Sequence, residues 1–484
     1  MRLLLVGALS WNPERMRSLH ERGHRLWSIW SRSMAWDQGP YRCLDDCVTP
    51  VPFADAASTI RAERIDAVYS LFQVYHPRLW GRPVPGVDHD VWTILRMLLA
   101  ERRRGAFDAP IVRHWGFDVH SLAPDVVRAL DGQVFCNREK LRYWAAPRHE
   151  GGCGLGGLFA EGATMAFQDG DRPKLEFMND AFSPRLSERD GEIHTVCIGR
   201  PFGIDYLAAA RRGIHIHFYG NRHDDVWRTI ARDLAPSRAR RDAALIARHL
   251  HLHPSLQPTG GTWDDVRRAK SAWVREFSRY DAGWSYVGRP LPWEPLDDRA
   301  AIPSKVATYL AAGLPVIADE RPGWYRYDEI ARLRVDIGLT DYDALRARLE
   351  REVASRERHA NAVRERSGYS FDASIDPLLA TIEAARSRYF ALPHRERARD
   401  GTPRRLIHLG ASPDLRRRAR RLVAALLTPD DARSEGPDGG LPALAREAWR
   451  ALVVPYRARR LARTLPLAIE PAAAADVPDA RDVP

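Results

Sequence analysis

Lysine is nearly missing from this 484-residue chain: Lys140, Lys174, Lys270 and Lys305 are the only four among 74 basic residues. The formal charge of +11 is therefore almost wholly arginine, the mark of a GC-rich coding sequence. The 63 acidic residues interleave with those arginines nearly everywhere, which leaves no continuous basic stripe and argues against a nucleic-acid partner. Cysteine is scarce as well. Cys43, Cys47, Cys136, Cys153 and Cys197 form an odd, scattered set. The C-x3-C pair Cys43/Cys47 has no second pair to complete a zinc site, so a disulfide frame is excluded and small buried thiols in a reducing cytoplasm are expected. No apolar run approaches the ~20 residues a bilayer-spanning helix needs, and mean hydropathy is −0.41. Leu3 to Leu9 is too short for a signal peptide and reads as a first core strand. Disorder throughout is excluded by 15 Trp, 15 Tyr and 14 Phe.

What is present is an alternation of strand and helix patterns. Met1–Gly7 reads as a strand, the segment opened by Pro13 as a helix ending at Gly23, and Arg25–Trp30 as a second strand. Ile65–Tyr69, Pro110–His114 and Asp131–Asn137 follow as strands, with helices over Val91–Arg104 and Pro124–Leu130. A second alternating series begins at Ile193. Strands are expected at Ile193–Gly199, Ile214–Gly220, His251–Pro254, Ala282–Val287 and Pro315–Asp319. Helices are expected at Ile204–Arg211, Val226–Leu250, Trp263–Ser278, Lys305–Ala312 and Tyr342–Glu365. The fold class is thus α/β, two Rossmann-like doubly wound domains, followed by a basic helical C-terminal extension. Leu415–Leu427 and Leu444–Leu467 in that extension are basic amphipathic segments suited to an anionic membrane surface or to packing on the main body.

The most informative stretch is Tyr280–Glu329. Pro303-Ser304-Lys305 opens a helix after a loop, bringing free backbone N–H groups and an ammonium together, a combination that binds a diphosphate. Ala311-Ala312-Gly313 ends that helix, and Pro315–Ala318 returns as a strand. Other patterns are weaker. Gly151–Gly157 lacks the preceding strand and the Gly-Lys-Ser/Thr ending of a phosphate loop. The first strand ends G-A-L-S-W-N-P, without the glycines of a dinucleotide site. Asp88-His89-Asp90 and Asp169-Gly170-Asp171 follow no convincing strand, so no metal is expected. His215/His217 and His251/His253 alternate on strands and read as packing residues, with no carboxylate suitably spaced for a metal.

The segment P-x-K-x-x-x-Y-L-A-A-G-L-P-V-I resembles the nucleotide-sugar-binding segment of GT-B glycosyltransferases, in particular the retaining, family-4-like branch. Met1–Trp30, Gly199-Arg200-Pro201-Phe202-Gly203 and Ile214–Gly220 resemble further pieces of that pattern, in order, over roughly residues 1–390. The resemblance implies two domains facing across a cleft, with Lys305 and Arg200 on the donor diphosphate. Gly199, Ser304, Thr308 and Tyr309 would complete the donor site. Tyr219, Gly220, His253 and Pro254 would border the nucleobase. Gly7, Ser10 and Trp11 would face the acceptor, and His114 and Asp118 would stand near the transferred sugar. The paired glutamates of that branch are not matched: Ala300 and Thr308 occupy their positions, with Glu294, Asp297 and Asp298 nearby in the loop.

The implied division is 1–168 (acceptor side), 169–190 (linker), 191–370 (nucleotide-sugar side), 371–395 (return helix) and 396–484 (basic, partly disordered tail). The implied function is transfer of a sugar from a nucleoside diphosphate to a glycan, lipid-linked or small-molecule acceptor. No cofactor is needed, and the expected place is the cytoplasm or the inner face of its membrane. The unmatched glutamates leave a second reading, a catalytically silent scaffold of the same shape that binds a nucleotide or a partner protein.

Overall fold

Arg2–Val6 (β1) is an unbroken apolar run, which a parallel strand covered on both faces can bury. Leu3, Leu4, Leu5 and Val6 are all fully buried. The computed structural model describes residues 1–7, 13–29, 42–71, 91–115, 121–122, 124–135, 164–167, 174–177, 182–199, 204–220, 242–254, 256, 261–285, 304–318, 334–336, 341–354, 370–393 and 407–408. The first sheet adds β2 (Arg25–Ile29), β3 (Val48–Val51), β4 (Ala67–Ser70) and β5 (Ile111–Trp115). A two-residue strand β6 (Ser121–Leu122) lies outside it, and β7 (Gly132–Phe135) and β8 (Thr164–Phe167) complete it. The order is β3-β2-β1-β4-β5-β7-β8, and each recorded pairing is parallel.

Alternation along β1 feeds two layers. Leu4 and Val6 join Ile60 of α2 (Ala56–Ala62), Ile94 and Leu98 of α3 (Val91–Arg103), and Val126 of α4 (Pro124–Ala129). Leu3 and Leu5 join Met16 and Leu19 of α1 (Pro13–Glu21).

The second sheet follows the short helix α5 (Ser187–Asp190) and is formed by β9 (Ile193–Ile198), β10 (Ile214–Tyr219), β11 (Leu250–His253), β12 (Ala282–Trp284), β13 (Val316–Ala318) and β14 (Arg334–Asp336). It is parallel, in the order β11-β10-β9-β12-β13-β14. Counted from β9 this is the 3-2-1-4-5-6 order of doubly wound nucleotide-binding sheets. Helices α6 (Tyr206–Arg211) and α7 (Ala243–His249) cover one face, where Leu207 and Ile246 join Ile214, Ile216 and Phe218. Helices α8 (Trp263–Phe277) and α9 (Ser304–Ala311) cover the other, where Phe277, Val306 and Tyr309 join Val196 and Tyr219. α10 (Tyr342–Ala354) brings Leu345 and Leu349 to the first of these faces.

The chain then crosses back. α11 (Phe371–Ala391), capped by Ser370 whose hydroxyl accepts from Ala373 N–H at 3.1 Å, packs Ile375, Leu378 and Ile382 against the Leu3/Leu5 layer. Three of the four rare lysines are described, and two make ion pairs between elements far apart in sequence. Lys174 is buried and binds Glu21 of α1 and, at 3.1 Å, Asp372 of α11. Lys270 on α8 reaches the buried Glu14 of α1 at 2.6 Å, and beside it the Arg17 guanidinium lies 4.8 Å from the centre of the Trp263 ring. The third is Lys305.

Within the described residues the expected strand–helix alternation is present, with shifted ends. The helix expected at 226–250 is described only as Ala243–His249, and that expected at 342–365 only as Tyr342–Ala354. β3, β8 and β14 had no expectation. They are short, and β3 contains Pro50, which interrupts its apolar pattern. The glycine-rich stretch 151–157, both D-x-D motifs and nearly all of the basic tail lie outside the described residues. The described part of the tail is β15 (Ile407–His408), which pairs antiparallel with β6.

Gly283 on β12 fixes how closely α9 approaches the sheet, since a Cβ there would lie 2.5–2.6 Å from the Tyr309 ring. That ring is fully buried and held at its hydroxyl, so it has no room to yield. Gly283→Ala is expected to lower unfolding stability by about 1–3 kcal/mol through overpacking. An unchanged urea midpoint would show that α9 can move away from the sheet without loss.

Candidate functional site

In a doubly wound sheet, ligands bind beyond the carboxyl ends of the strands, where the order reverses. Here that point lies between β9 and β12. The two strands pair at Thr195–Ala282 and Val196–Gly283. Beyond these pairs, the Tyr309 hydroxyl takes over: it accepts from Ile198 N–H at 3.0 Å and donates to the Trp284 carbonyl at 2.9 Å. One helical turn before Tyr309, on the same face of α9, stands half-buried Lys305. Burial pushes the Cys197 thiol on β9 up, and the Lys305 ammonium opposes that shift, so its charge acts on the end of β9. Ser285, just after β12, is 2% exposed, and its Oγ has no hydrogen-bond partner among the described residues. Gly199, just after β9, is exposed and has φ +74°, a conformation that favours glycine. A helix start, an ammonium, an unsatisfied buried hydroxyl and a glycine turn thus share one edge, a setting for an oxyanion.

The residues singled out in the sequence separate into three groups. Gly199, Gly220, Pro254, Lys305 and Thr308 are described at or near this edge: Gly220 and Pro254 follow the ends of β10 and β11, and Thr308 is half-buried one turn beyond Lys305. Tyr219, His253 and Tyr309 lie beneath it. Tyr219 is 2% exposed, its hydroxyl binds Glu276 and, at 2.7 Å, Tyr280, and its ring stacks on His253 at 4.4 Å. These three side chains support the edge from inside the fold, because each lies on the strand or helix face that enters the core. Arg200, Asp118, Ser10 and Trp11 lie outside the described residues, and Ser304 is described only as the first residue of α9.

The first sheet has its own polar cluster at the corresponding end. Gly7 follows β1 with φ +131°, and a Cβ there would lie 3.0 Å from that of Leu71. His114 on β5 is fully buried, and its Nδ1 lies 2.6 Å from the Tyr69 hydroxyl. Arg15 of α1 donates to the same hydroxyl at 3.4 Å. Next to it, Arg113 is fully buried, donates to Ser70 Oγ at 3.0 Å, and is held down to about 9 by burial. Arg15, Tyr69 and Arg113 carried no sequence signal, because arginines are everywhere in this chain.

A second feature was read as packing and proves more organised. Parallel register aligns His215 with His194 and His217 with His251, and extends to His249 beside His215. Rings stack along these rows, His194–His215 at 4.5 Å and His217–His251 at 4.2 Å, and the His249 ring lies tilted against His215 at 4.5 Å. Hydrogen bonds run diagonally between rows. His194 Nε2 lies 2.9 Å from Asp190 and its Nδ1 3.0 Å from His217 Nε2, whose Nδ1 lies 2.9 Å from His253 Nε2. His215 Nε2 binds Glu192, and its Nδ1 lies 3.0 Å from His251 Nε2. Each ring then donates at Nε2 and accepts at Nδ1, so both chains point at a carboxylate. Burial above all, with the neighbouring imidazoles, holds His215 down to about 4 and His217 well below its ordinary range. The sequence expectation of no suitable carboxylate is corrected here. Glu192 is 23 residues from His215 yet beside it, because adjacent parallel strands begin at the same edge.

No family model matches the chain, and no curated protein matches it. Among solved structures it is similar to HepE of Anabaena in complex with UDP, at 10% identity over 79% of this chain and 100% of that one, TM-score 0.49. It is also similar to a mutant O-GlcNAc transferase of Thermobaculum terrenum, at 14% identity over 80% and 68%, TM-score 0.46. A sucrose-phosphate synthase from Thermosynechococcus elongatus matches at 11% identity over 81% and 100%, TM-score 0.43. At these identities and TM-scores no residue's role carries across.

The bridging role of Tyr309 gives a direct expectation. Tyr309→Phe keeps the ring and strands the Ile198 N–H and the Trp284 carbonyl, at a cost of about 1–3 kcal/mol in chemical unfolding. A loss within error of zero would mean that water or a neighbour satisfies both groups and that the hydroxyl does not tie β9 to β12.

Proposed function

We propose that the chain is a glycosyltransferase that moves a sugar from a nucleoside-diphosphate donor to a glycan, lipid-linked or small-molecule acceptor. The observation that carries this reading is Lys305 at the start of α9, whose charge acts on the end of β9 at the β9/β12 switch point, the edge at which the unsatisfied Ser285 hydroxyl also lies. A leaving nucleoside diphosphate gains negative charge as the glycosidic bond breaks, and an ammonium at a helix N-terminus stabilises that charge. Arg200, immediately after Gly199, is assigned to the same diphosphate, and Ser304 to a further donor hydrogen bond. Gly220 and Pro254, at the ends of β10 and β11, border the nucleobase from the main chain. The C-terminal end of the first sheet, with Gly7, Ser10 and Trp11 after β1, His114 on β5 and Asp118 after it, receives the acceptor and the transferred sugar. No metal takes part in donor binding in this scheme, since Lys305 and Arg200 supply the charge. The reading also puts the work in the cytoplasm, with the arginine-rich tail against an anionic membrane surface when the acceptor is lipid-linked.

The test is a thermal-shift panel of nucleoside diphosphates and their sugars on the full chain and on Lys305→Ala. A ligand at about 100 times its dissociation constant adds about 2.7 kcal/mol of stability. One nucleotide family is expected to raise the melting temperature of the native chain and to do so far less in the variant. A response that Lys305→Ala leaves intact, or no response to any nucleotide, sinks the assignment of Lys305. Release of free sugar from the stabilising donor then separates an enzyme from a scaffold that binds without turnover.

A further inference from the structure

The opposite edge of the second sheet holds a group of side chains that donor chemistry does not use. Glu192, His215 and His249 come from three separate places: just before β9, the start of strand β10, and the end of α7. Their ligand-capable atoms all lie within 4.8 Å of one another. From this juxtaposition we infer that Glu192, His215 and His249 form a binding site for a divalent transition-metal ion of the zinc class, at the amino-terminal edge of the second sheet.

The donor set fits that class. Two imidazole nitrogens and one carboxylate oxygen suit borderline divalent ions and leave a position for water. Small side-chain movements bring the three atoms to the roughly 2.0–2.2 Å that zinc requires. The supporting contacts are those that orient metal-binding histidines. His249 Nδ1 is held by the Leu245 carbonyl at 2.9 Å, which leaves Nε2 for the ion. His215 Nδ1 faces His251 Nε2 at 3.0 Å, so a metal on His215 Nε2 moves the ring proton to Nδ1, where His251 accepts it. Glu192 keeps one oxygen on Arg248 at 2.5 Å and turns the other toward His215. Both histidines are 6% exposed, while the Glu192 side chain is 34% exposed and gives the ion a way in from solvent. The stacked rings of His194 and His251 prevent His215 from turning away. An ion here cross-links the start of β9, β10 and the α7–β11 junction, at the edge of the sheet opposite to Lys305.

The experiment uses the untagged full chain, stripped with chelator and titrated with zinc alone by calorimetry. One saturable equivalent with a raised melting temperature is expected. His249→Ala and Glu192→Gln should each weaken zinc binding by at least about tenfold, and His251→Phe by about 10–100-fold, the range for lost supporting contacts. Glu192 is partly exposed, so Glu192→Gln keeps the test decisive if His249→Ala fails to fold. Cobalt substitution adds a second readout: a d–d spectrum without a thiolate charge-transfer band is expected. Absence of a saturable site, affinity unchanged in Glu192→Gln, or a thiolate band would each overturn the assignment.

Discussion

The second half of the molecule turns on the packing of one tyrosine ring against one glycine. Tyr309 reaches β12 because Gly283 has no side chain, and its hydroxyl then spans the gap where β9 and β12 part. This contact sets the height and rotation of α9 above the sheet. Lys305 is four residues earlier, so its position follows from that rotation. The position of Lys305 is therefore a consequence of core packing. A buried, hydrogen-bonded phenol is also a rigid support, as a preorganised electrostatic site requires.

The two edges of the second sheet carry different chemistry for a simple reason. At the carboxyl edge β9 and β12 part after the Val196–Gly283 pair, at the switch point of the strand order, which favours a ligand. At the amino edge the strands start in register, so histidines two residues apart on neighbouring strands align into rows. Neutral imidazoles can be stacked there because each both donates and accepts, and each chain of donors ends on a carboxylate, Asp190 or Glu192. The first half is joined to this sheet by charge as well as by apolar packing. Lys270 meets Glu14, and Lys174 holds the start of α11 to α1, so two of the scarce lysines sit where a compact ammonium can meet a carboxylate in a confined space.

Much of the architecture was legible in the sequence. Apolar runs closed by glycine located β1, β9 and β10, and the P-x-K segment with its A-A-G ending located α9 and the strand after it. β3 and β8 were not legible, because four-residue strands at or beside a sheet edge carry too little pattern. Lys305 was found because lysine is so rare here, and the same abundance of arginine hid Arg15 and Arg113. Ser285 was invisible because an unsatisfied hydroxyl is a property of its surroundings. The histidine rows were half visible: the H-x-H alternation gave the face, but only strand register supplied Glu192, Asp190 and His249. Tyr219 and Tyr309 were assigned to the carboxyl edge yet lie below it, since a motif gives a position in the chain and not the direction of a side chain.

Hydrogen exchange of the main-chain amides, with and without a saturating nucleoside diphosphate, tests the central claim most directly. Slowed exchange is expected at residues 304–308 and around Gly199, with the amino edge at Glu192–His194 unchanged. Protection confined to other segments, with α9 exchanging as before, would contradict it.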